Sequence, residues 1–310
     1  MKIVVTGALG HIGSRLIREL PSVFPSAEIV MVDNLMTQRY CSLFNLPQIG
    51  RYQFIEADVT SMDLEPLLKG AHVVIHLAAI TDAAGSIDRA DELERNNFSA
   101  TKRLAQACAY AQVRLISLSS TSVYGSQADL VDENCSPDEL QPQSPYAFTK
   151  LKEEHLVQEL VAKANLSACI CRFGTIFGVS PGMRFHTAVN KFCWQAAMQQ
   201  PISVWRTAFD QKRPYLDIGD ACRAITHIIQ NNLFDGLVYN ILTLNATVRE
   251  VVGAIRDVVP DLEVRFVDSP IMNQLSYEVN NLRFFETNFQ VCGSMHNAIK
   301  EEISWIHVNK

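Results

Sequence analysis

The 310-residue chain has no uninterrupted apolar run of about 18 residues, so the sequence predicts no membrane span. It has no basic segment followed by a long apolar run at its start, and we therefore expect no signal peptide. Positive charge is not in excess either, because 27 Lys and Arg against 33 Asp and Glu give a net charge of −6. Such a chain has no general attraction to nucleic acid or to an anionic membrane, so an anionic ligand needs a local cluster of Arg or Lys.

The sequence also lacks paired cysteine spacing. Its eight cysteines are scattered, several of them in apolar runs, which is typical of reduced thiols in a cytoplasmic protein. Cys169 and Cys171 form the only close pair, and side chains two apart in a strand point to the same face. Such pairs more often fill a core than bind a metal, so we predict no metal site. There is no internal repeat and no low-complexity segment.

The strongest pattern lies at the N-terminus. The apolar run 3–5 predicts a buried strand ended by Thr6, and apolar residues at helical spacing follow from Ile12 to Leu20. Between strand and helix stand three glycines in Gly-x-x-Gly-x-x-Gly spacing: Gly7, Gly10 and Gly13. Glycines there permit a tight turn, close approach of the backbone to a pyrophosphate, and close packing of helix on strand. The start of the helix attracts phosphate through its free N–H groups.

A second predicted strand, 28–32, decides whether the glycines belong to a nucleotide site or to an ordinary strand–turn–helix. It is followed by Asp33, which lies 20 residues after Gly13. An acid at that distance can accept hydrogen bonds from both ribose hydroxyls and repels a 2′-phosphate. The sequence therefore predicts a dinucleotide site that takes NAD rather than NADP.

Predicted strands and helices alternate through the first half, the pattern of a parallel sheet with helices on both faces. We predict the α/β class: a Rossmann-type doubly wound parallel sheet with a smaller C-terminal substrate-binding lobe. The NAD-binding domain is expected over 1–173, with 217–239 returning to it, and the substrate-binding lobe over 174–216 and 240–310. Strands are predicted at 2–6, 28–32, 53–56, 72–77, 114–119 and 168–173, and helices at 93–110 and 146–164.

Small and polar residues follow several of these strands. The carboxyl ends of parallel strands meet at one edge of a sheet, where ligands of such folds bind. A carboxylate there could meet an adenine amino group, and small alanines would let a dinucleotide lie close to the backbone. The residues concerned are Asp58 and Val59 after the third strand, and Leu77, Ala78 and Ala79 at the fourth.

Tyr146 and Lys150 lie one helical turn apart, so a phenol and an ammonium share a helix face. A neighbouring ammonium favours the phenolate, which could take a proton from a carbinol as hydride leaves for the cofactor. The Ser120 hydroxyl, near the same oxygen, would complete the site. A Tyr-x-x-x-Lys pair also occurs by chance on solvated helices, but its place after the fifth strand favours a chemical role.

These motifs resemble the extended short-chain dehydrogenase/reductase family, specifically its nucleotide-sugar epimerase and dehydratase branch. The resemblance covers nearly the whole chain and implies NAD as cofactor, a nucleoside-diphosphate sugar as substrate, and a homodimer formed through helices 93–110 and 146–164. The segments that carry it are 6–13, 33–34, 58–59, 76–79, 96–97, 119–125, 146–150 and 172–178.

The resemblance implies three sets of site residues. The catalytic set is Ser120, Tyr146 and Lys150. The cofactor-binding set is Gly7, Gly10, His11, Ile12, Gly13, Asp33, Asn34, Asp58, Val59, Leu77, Ala78, Ala79, Asn97, Ser119, Tyr146, Lys150 and Phe173. The substrate-binding set is Thr81, Ser120, Thr175, His186 and Arg213. Within these sets, Asn97 matches the position that steadies the active-site helix, and Arg213 matches an arginine that binds the sugar-nucleotide diphosphate.

Departures from the family pattern narrow the chemistry. Dehydratases and decarboxylases of this branch carry an acid just after the catalytic Ser or Thr, where this chain has Thr121 and Ser122. We therefore expect C4 epimerisation through a transient 4-keto sugar. The alternatives are a 4,6-dehydratase, a keto-sugar reductase, or a non-catalytic NAD(H)-binding regulator. Thr175 and Pro214 replace residues usual in the substrate region, which leaves the sugar's identity open. His186 is either a substrate acid or, more simply, a helix-start histidine.

Overall fold

The computed structural model describes residues 1–81, 90–125, 130–268 and 276–306. Its strands are β1 (Lys2–Thr6), β2 (Glu28–Asp33), β3 (Arg51–Glu56), β4 (Val73–His76), β5 (Arg114–Ser120), β6 (Leu130–Val131), β7 (Ala168–Phe173), β8 (Thr175–Phe177), β9 (Ile202–Trp205), β10 (Lys212–Asp217), β11 (Val238–Ile241), β12 (Leu244–Thr247), β13 (Val264–Val267) and β14 (Glu278–Val279). Its helices are α1 (His11–Val23), α2 (Glu65–Leu68), α3 (Ala90–Leu93), α4 (Ser99–Ala111), α5 (Pro145–Ala164), α6 (Ala188–Ala197), α7 (Ile218–Gln230), α8 (Val248–Arg256), α9 (Leu282–Phe285) and α10 (Met295–Ile306).

The main sheet of the described residues has seven strands in the order β3-β2-β1-β4-β5-β7-β11, and every neighbouring pair is parallel. This confirms the predicted α/β class. The chain moves outward in one direction from β1 to β3 and in the other from β4 onward. The order therefore reverses between β1 and β4, and the crevice outside their carboxyl ends is where such folds bind ligands.

The six predicted strands all occur in this sheet, with ends within two residues of the prediction. The predicted helix 146–164 corresponds to α5. The predicted helix 93–110 is interrupted, because Glu94–Phe98 forms a π-helical turn between α3 and α4. Such single turns of wider helix often occur at functional sites, and this one carries Asn96 and Asn97.

Helices cover both faces of the sheet because its strands are apolar on both faces. On β1, Ile3 and Val5 lie in one core and Val4 lies in the other. The first core includes Leu16 of α1 and residues of α7, and the second includes Leu104 of α4 and residues of α5. The alternation of side chains along a strand thus places two helical layers around one sheet.

Helix α5 begins at a defined residue. The Ser144 hydroxyl accepts a hydrogen bond from the Ala147 N–H at 3.2 Å, and Pro145 occupies the first turn, where its missing N–H costs nothing. The helix ends at Asn165, which adopts the left-handed conformation (φ 53°) that favours Asn and Gly. This start places Tyr146 in the first turn, next to the carboxyl ends of the strands.

The remaining elements form smaller units. A three-stranded sheet joins β12, β10 and β8, while β13 pairs with β9 and β14 with β6. A separate core lies between α6, α8 and α10. Within the described ranges, no helix combines the length and apolar character needed to cross a membrane.

Glu302 on α10 is a buried acid inside this separate core. Neither of its carboxylate oxygens accepts a hydrogen bond from an N–H or O–H group of the described residues. Burial outweighs the nearby Cys193 thiol and raises the pKa of Glu302 to about 8. Between pH ~4.3, where a glutamate of the unfolded chain titrates, and pH 8, the folded chain holds a proton that the unfolded chain has lost. Stability therefore falls as pH rises through this window.

We expect Glu302→Gln to be more stable than the wild type at pH 8 by roughly 2–4 kcal/mol, and to approach the wild type near pH 4.5. The reason is that the amide has no proton to lose. Urea unfolding at both pH values measures this. Glu301→Gln is the matched control, because Glu301 is exposed on the same helix. A stability gain of equal size at both pH values would contradict the titration argument.

Candidate active site

Two adjoining cavities lie at the carboxyl ends of the main strands. The larger has a volume of about 540 Å³ and the smaller about 420 Å³. Their walls share Gly7 and Gly10 from the loop after β1, and Leu77, Ala79 and Thr81 from the segment after β4. The cavities therefore occupy the crevice between β1 and β4, where the strand order reverses.

The glycine loop forms one wall of the larger cavity. Gly7 has φ +66°, and a Cβ on it would lie 2.6 Å from the backbone nitrogen of Ala78. A Cβ on Gly13 would lie 2.5 Å from the Gly7 carbonyl oxygen, so α1 packs on the loop as closely as glycine allows. His11 and Ile12, the first residues of α1, also line the cavity. The free N–H groups at the start of this 13-residue helix suit a phosphate there.

The acid at the end of β2 lines the smaller cavity. Asp33 Oδ2 accepts a hydrogen bond from the Leu9 N–H and Oδ1 one from the Leu35 N–H, both at 3.0 Å. A carboxylate has about four acceptor positions, so two remain for a ligand's hydroxyl groups. The residues present thus fit the ribose of a dinucleotide.

Asn34, Asp58 and Val59 line the same cavity. The Asn34 amide donates a hydrogen bond to Asp58 Oδ2 at 3.0 Å, and Thr60 donates its N–H to Asp58 Oδ1 at 2.8 Å. Hydrogen bonds from Thr60 and Asn34 hold the pKa of Asp58 below its usual value. Asn34 and Asp58, both predicted to bind the cofactor, therefore form a hydrogen-bonded edge of the cavity.

The predicted residues after β4 divide into two groups. Ala78 and its two neighbours line the smaller cavity, but Asn97 lines neither. The Asn97 amide instead donates to the Ile80 carbonyl and accepts from the Ile80 N–H, both at 2.8 Å. Asn97 thus holds the backbone after β4 in place, while Asn96 beside it lines the smaller cavity.

Two histidines in the cavity wall are neutral. The His76 ring lies 2.7 Å from the Thr6 hydroxyl and 3.2 Å from the Thr101 hydroxyl. Burial, with a smaller effect of the Lys150 charge, lowers the pKa of His76 to about 3. Burial also lowers the pKa of His11 to about 3, although its ring nitrogen lies 2.9 Å from the Gly178 carbonyl. Neither ring can carry charge near neutral pH.

The three predicted catalytic residues all line the larger cavity. The Lys150 ammonium lies 5.9 Å from the centre of the Tyr146 ring. Ser120 Oγ accepts hydrogen bonds from the Ser122 N–H at 3.2 Å and the Ser122 hydroxyl at 2.9 Å. Helix α5 supplies the phenol and the ammonium, and the end of β5 supplies the serine.

Ser119 lines the larger cavity too, but its hydroxyl is directed into the core. It donates a hydrogen bond to Glu154 of α5, which also accepts from the Arg172 guanidinium of β7 at 2.7–3.2 Å. Phe173, the last residue of β7, lines the cavity. Ser119 therefore connects the sheet to the helix that carries Tyr146, a role that the sequence prediction missed.

The predicted substrate residues Thr81, Thr175, His186 and Arg213 also line the larger cavity. Around them lie basic residues that the sequence reasoning missed, namely Arg39, Arg184 and Lys191. Arg184 donates a hydrogen bond to the Thr81 hydroxyl. No Asp or Glu is among the described residues of this wall. The requirement for a local basic cluster was inferred from net charge, but no motif marks its members: Arg39 and Arg184 lie in irregular segments and Lys191 lies in α6.

Tyr277 was missed as well, and it comes from a distant part of the chain. Its hydroxyl lies 3.3 Å from the Thr121 hydroxyl, next to Ser120. Burial raises the pKa of Tyr277. Within the parts of the chain that the structure describes, there is no group of three or more His, Cys, Asp and Glu that could hold a metal ion.

The glycine loop, the acid ending β2 and the Tyr146–Lys150 pair define a dinucleotide-binding protein of the short-chain dehydrogenase class. The NAD dependent epimerase/dehydratase family matches residues 3–241, and the chain belongs to this family. NAD is the cofactor of the family. The glycine loop, the start of α1 and Asp33 are the residues that would hold it.

Known proteins similar to the chain carry epimerase and dehydratase names. An uncharacterized UDP-glucose epimerase of Bacillus subtilis is 32% identical over 83% of this chain and 82% of its own length. The dTDP-D-glucose 4,6-dehydratase of Bos taurus is 26% identical over 99% of this chain and 89% of its own. The structure of UDP-glucuronic acid 4-epimerase from Bacillus cereus, solved with UDP-glucuronic acid and NAD, has a TM-score of 0.90 and 25% identity, over 99% of each chain.

We expect Asp33→Ala to weaken NAD binding by roughly tenfold or more, because the ribose loses a charged acceptor. The preference for NAD over NADP should shrink at the same time, since the repulsion of a 2′-phosphate is removed. Fluorescence titration with NADH and NADPH measures both. Glu56→Ala is the control, because Glu56 ends the neighbouring strand β3 and lines neither cavity. Tighter wild-type binding of NADPH than of NADH would contradict the role of Asp33.

Proposed function

We propose that the protein is an NAD-dependent nucleoside-diphosphate-sugar epimerase that inverts C4 through a transient 4-keto sugar. The observation that carries the proposal is the composition of the larger cavity. It contains Tyr146, Lys150 and Ser120, and its described wall has no carboxylate. A phenol can exchange the proton of one hydroxyl, whereas elimination across C5–C6 also needs a base at C5 and an acid for the departing oxygen.

The chain's own residues move the proton. Lys150 places its ammonium 5.9 Å from the centre of the Tyr146 ring, and Tyr146 Oη takes the proton of the C4 hydroxyl. Ser120 Oγ donates a hydrogen bond to the same sugar oxygen. NAD⁺ held by the glycine loop and Asp33 would supply the acceptor, and then the donor, for the C4 hydride. Tyr146 holds the proton while the keto sugar turns over, and then gives it back.

The remaining predicted residues receive proposed binding roles. The glycine loop and the start of α1 bind the cofactor pyrophosphate, Asp33 its ribose, and Asp58 its adenine side. Arg213, with Arg184 and Arg39 in the same wall, binds the diphosphate of the sugar nucleotide. Asn97 supports the cofactor through the backbone of residue 80 rather than by contact.

Relatives support a uridine nucleotide. UDP appears in the names of the Bacillus subtilis relative and of the Bacillus cereus 4-epimerase, and we propose a UDP-sugar as the substrate. Because the chain is also similar to a dTDP-D-glucose 4,6-dehydratase, a 4,6-dehydratase is the second candidate function.

The organisation of the chain is part of the proposal. We propose that 1–173, joined by 217–239, bind NAD, and that 174–216 and 240–310 bind the sugar. Packing of α7 against α1 and pairing of β11 with β7 support the return of the chain to the first unit. The free cysteines of the described residues support a reducing, cytoplasmic location.

Incubation with UDP-, dTDP-, GDP- and CDP-sugars in D₂O, followed by NMR, tests the reaction. We expect interconversion of C4 epimers of a UDP-sugar with no deuterium gained at C5, because the proposed reaction does not break the C5–H bond. Deuterium at C5, or a 4-keto-6-deoxy product, would contradict the epimerase proposal and support the 4,6-dehydratase alternative.

The control for this reaction is Tyr146→Phe. Loss of a positioned general base should reduce turnover by on the order of a hundredfold or more while NAD still binds. Turnover close to the wild-type rate in this variant would reject the proposed mechanism, whichever sugar reacts.

We further propose a homodimer in which α4 and α5 meet their copies. Tyr110 on α4 is 94% exposed and Phe148 on α5 is 55% exposed, so both helices present apolar surface. Leu104 of α4 does not contribute to this surface, because it is fully buried within the chain's own core. An isologous contact between the two helices and their copies would cover the exposed aromatic rings.

Light scattering at micromolar concentration should give twice the 34.7 kDa mass of the chain. Replacing Tyr110 and Phe148 together by Glu is expected to give the monomer mass, because like charges would face each other across the two-fold axis. Trp305→Glu, at a 59% exposed aromatic on α10, is the control and should leave the mass unchanged. A wild-type monomer would exclude the dimer.

A further inference from the structure

Glu153 is a buried acid beside the cavity that no motif or proposed step uses. Its Oε2 lies 2.8 Å from the Lys150 ammonium, and the two side chains are 3% and 6% exposed. Both residues lie on α5, three positions apart, so the helix itself fixes their separation. An ammonium buried to this degree requires a partner of opposite charge.

Three described elements place polar or charged groups near Lys150, and among the described residues Glu153 is the carboxylate that remains free to pair with it. From α5, Tyr146 presents its ring and Glu154 its carboxylate, but Glu154 is bound on both oxygens by Arg172 of β7. From β4 comes neutral His76. From α4 comes the Thr101 hydroxyl, which bonds His76 and lies beside the Glu153 carboxylate. Glu153 is therefore the counter-ion of Lys150.

The ion pair also affects the pKa of both Lys150 and Glu153. Burial alone would lower the pKa of Lys150, but the charge of Glu153, helped by Tyr146 and Glu154, outweighs burial and raises it. Burial raises the pKa of Glu153, and Lys150 opposes this effect. Without the Glu153 carboxylate, the largest of the effects that offset the desolvation of Lys150 would be lost.

We propose that Glu153 is a positioning residue of the active site, which keeps Lys150 charged and holds its ammonium beside Tyr146. The ammonium has three donors, and Glu153 accepts from one, so two remain for the phenol side and for a bound ligand. The pairing itself needs no ligand, but its catalytic consequence rests on the proposed epimerase function.

Lysine ¹³Cε NMR of the ligand-free protein tests the pairing directly, with the Lys150 signal assigned by its loss in Lys150→Met. We expect Glu153→Gln to lower the pKa of Lys150 by roughly one unit or more, because an amide supplies no charge. Glu153→Asp keeps the charge at a longer reach and should give a smaller decrease. Glu159→Gln is the control, since Glu159 is an exposed acid on α5, and should leave Lys150 unchanged.

A pKa of Lys150 that is the same in the wild type and Glu153→Gln would overturn the proposal. Should that variant fail to fold, Glu153→Asp decides alone, because a shorter acid must still weaken the pair. The basic limb of the pH profile of kcat provides the second readout. This basic limb should move to lower pH in Glu153→Gln and lie close to its wild-type position in Glu153→Asp. If Glu153 acted in folding alone, its replacement would change the amount of active protein but not the pH at which the basic limb lies. If no sugar is epimerised, only the proposed function fails, because the NMR titration still decides the pairing.

Discussion

The buried ion pair of Glu154 and Arg172 is the interaction on which the arrangement of the site depends. It joins α5 to β7, and Ser119 of β5 donates to the same carboxylate. Arg172 also donates to the Tyr124 hydroxyl at 2.9 Å, which in turn donates to Asn240 of β11 at 2.9 Å. Breaking a buried pair costs about 3–5 kcal/mol because the remaining charge has no partner. Three strands are thus held to the helix that carries Tyr146 and Lys150.

The same helix therefore carries two buried acids with different tasks. Glu154 serves the sheet and is held by Arg172, whereas Glu153, one residue earlier, faces Lys150. Successive residues on a helix point about 100° apart, so adjacent acids can serve different neighbours. If Glu154 had no arginine, two carboxylates would compete for one ammonium, and one of them would take up a proton. The structural ion pair is what leaves Lys150 a single dedicated counter-ion.

Elements that depend on local patterns were predictable from the sequence, and contacts between distant segments were not. β1 and its glycines could be predicted because apolar runs and turn geometry are local properties. The interruption at Glu94–Phe98 could not, because one wider turn shifts the apolar spacing by only about one residue, too little to recognise in a short helix. Arg184 and Tyr277 reach the site from segments without a motif. Glu153 was hidden for another reason: an acid in a helix is usually solvated, and only packing shows that this one is buried.

Overall sequence similarity does not distinguish an epimerase from a dehydratase, since an epimerase and a dehydratase both match most of the chain. The separation must come from the few side chains around Ser120. Thr121 lies against the Tyr277 hydroxyl and the Phe173 carbonyl, and Ser122 donates to Ser120. These hydroxyls are engaged with their neighbours and have no acid–base function near neutral pH. Proton exchange then rests on Tyr146 alone among these groups, which suits a reaction that ends with the same hydroxyl protonated as at the start.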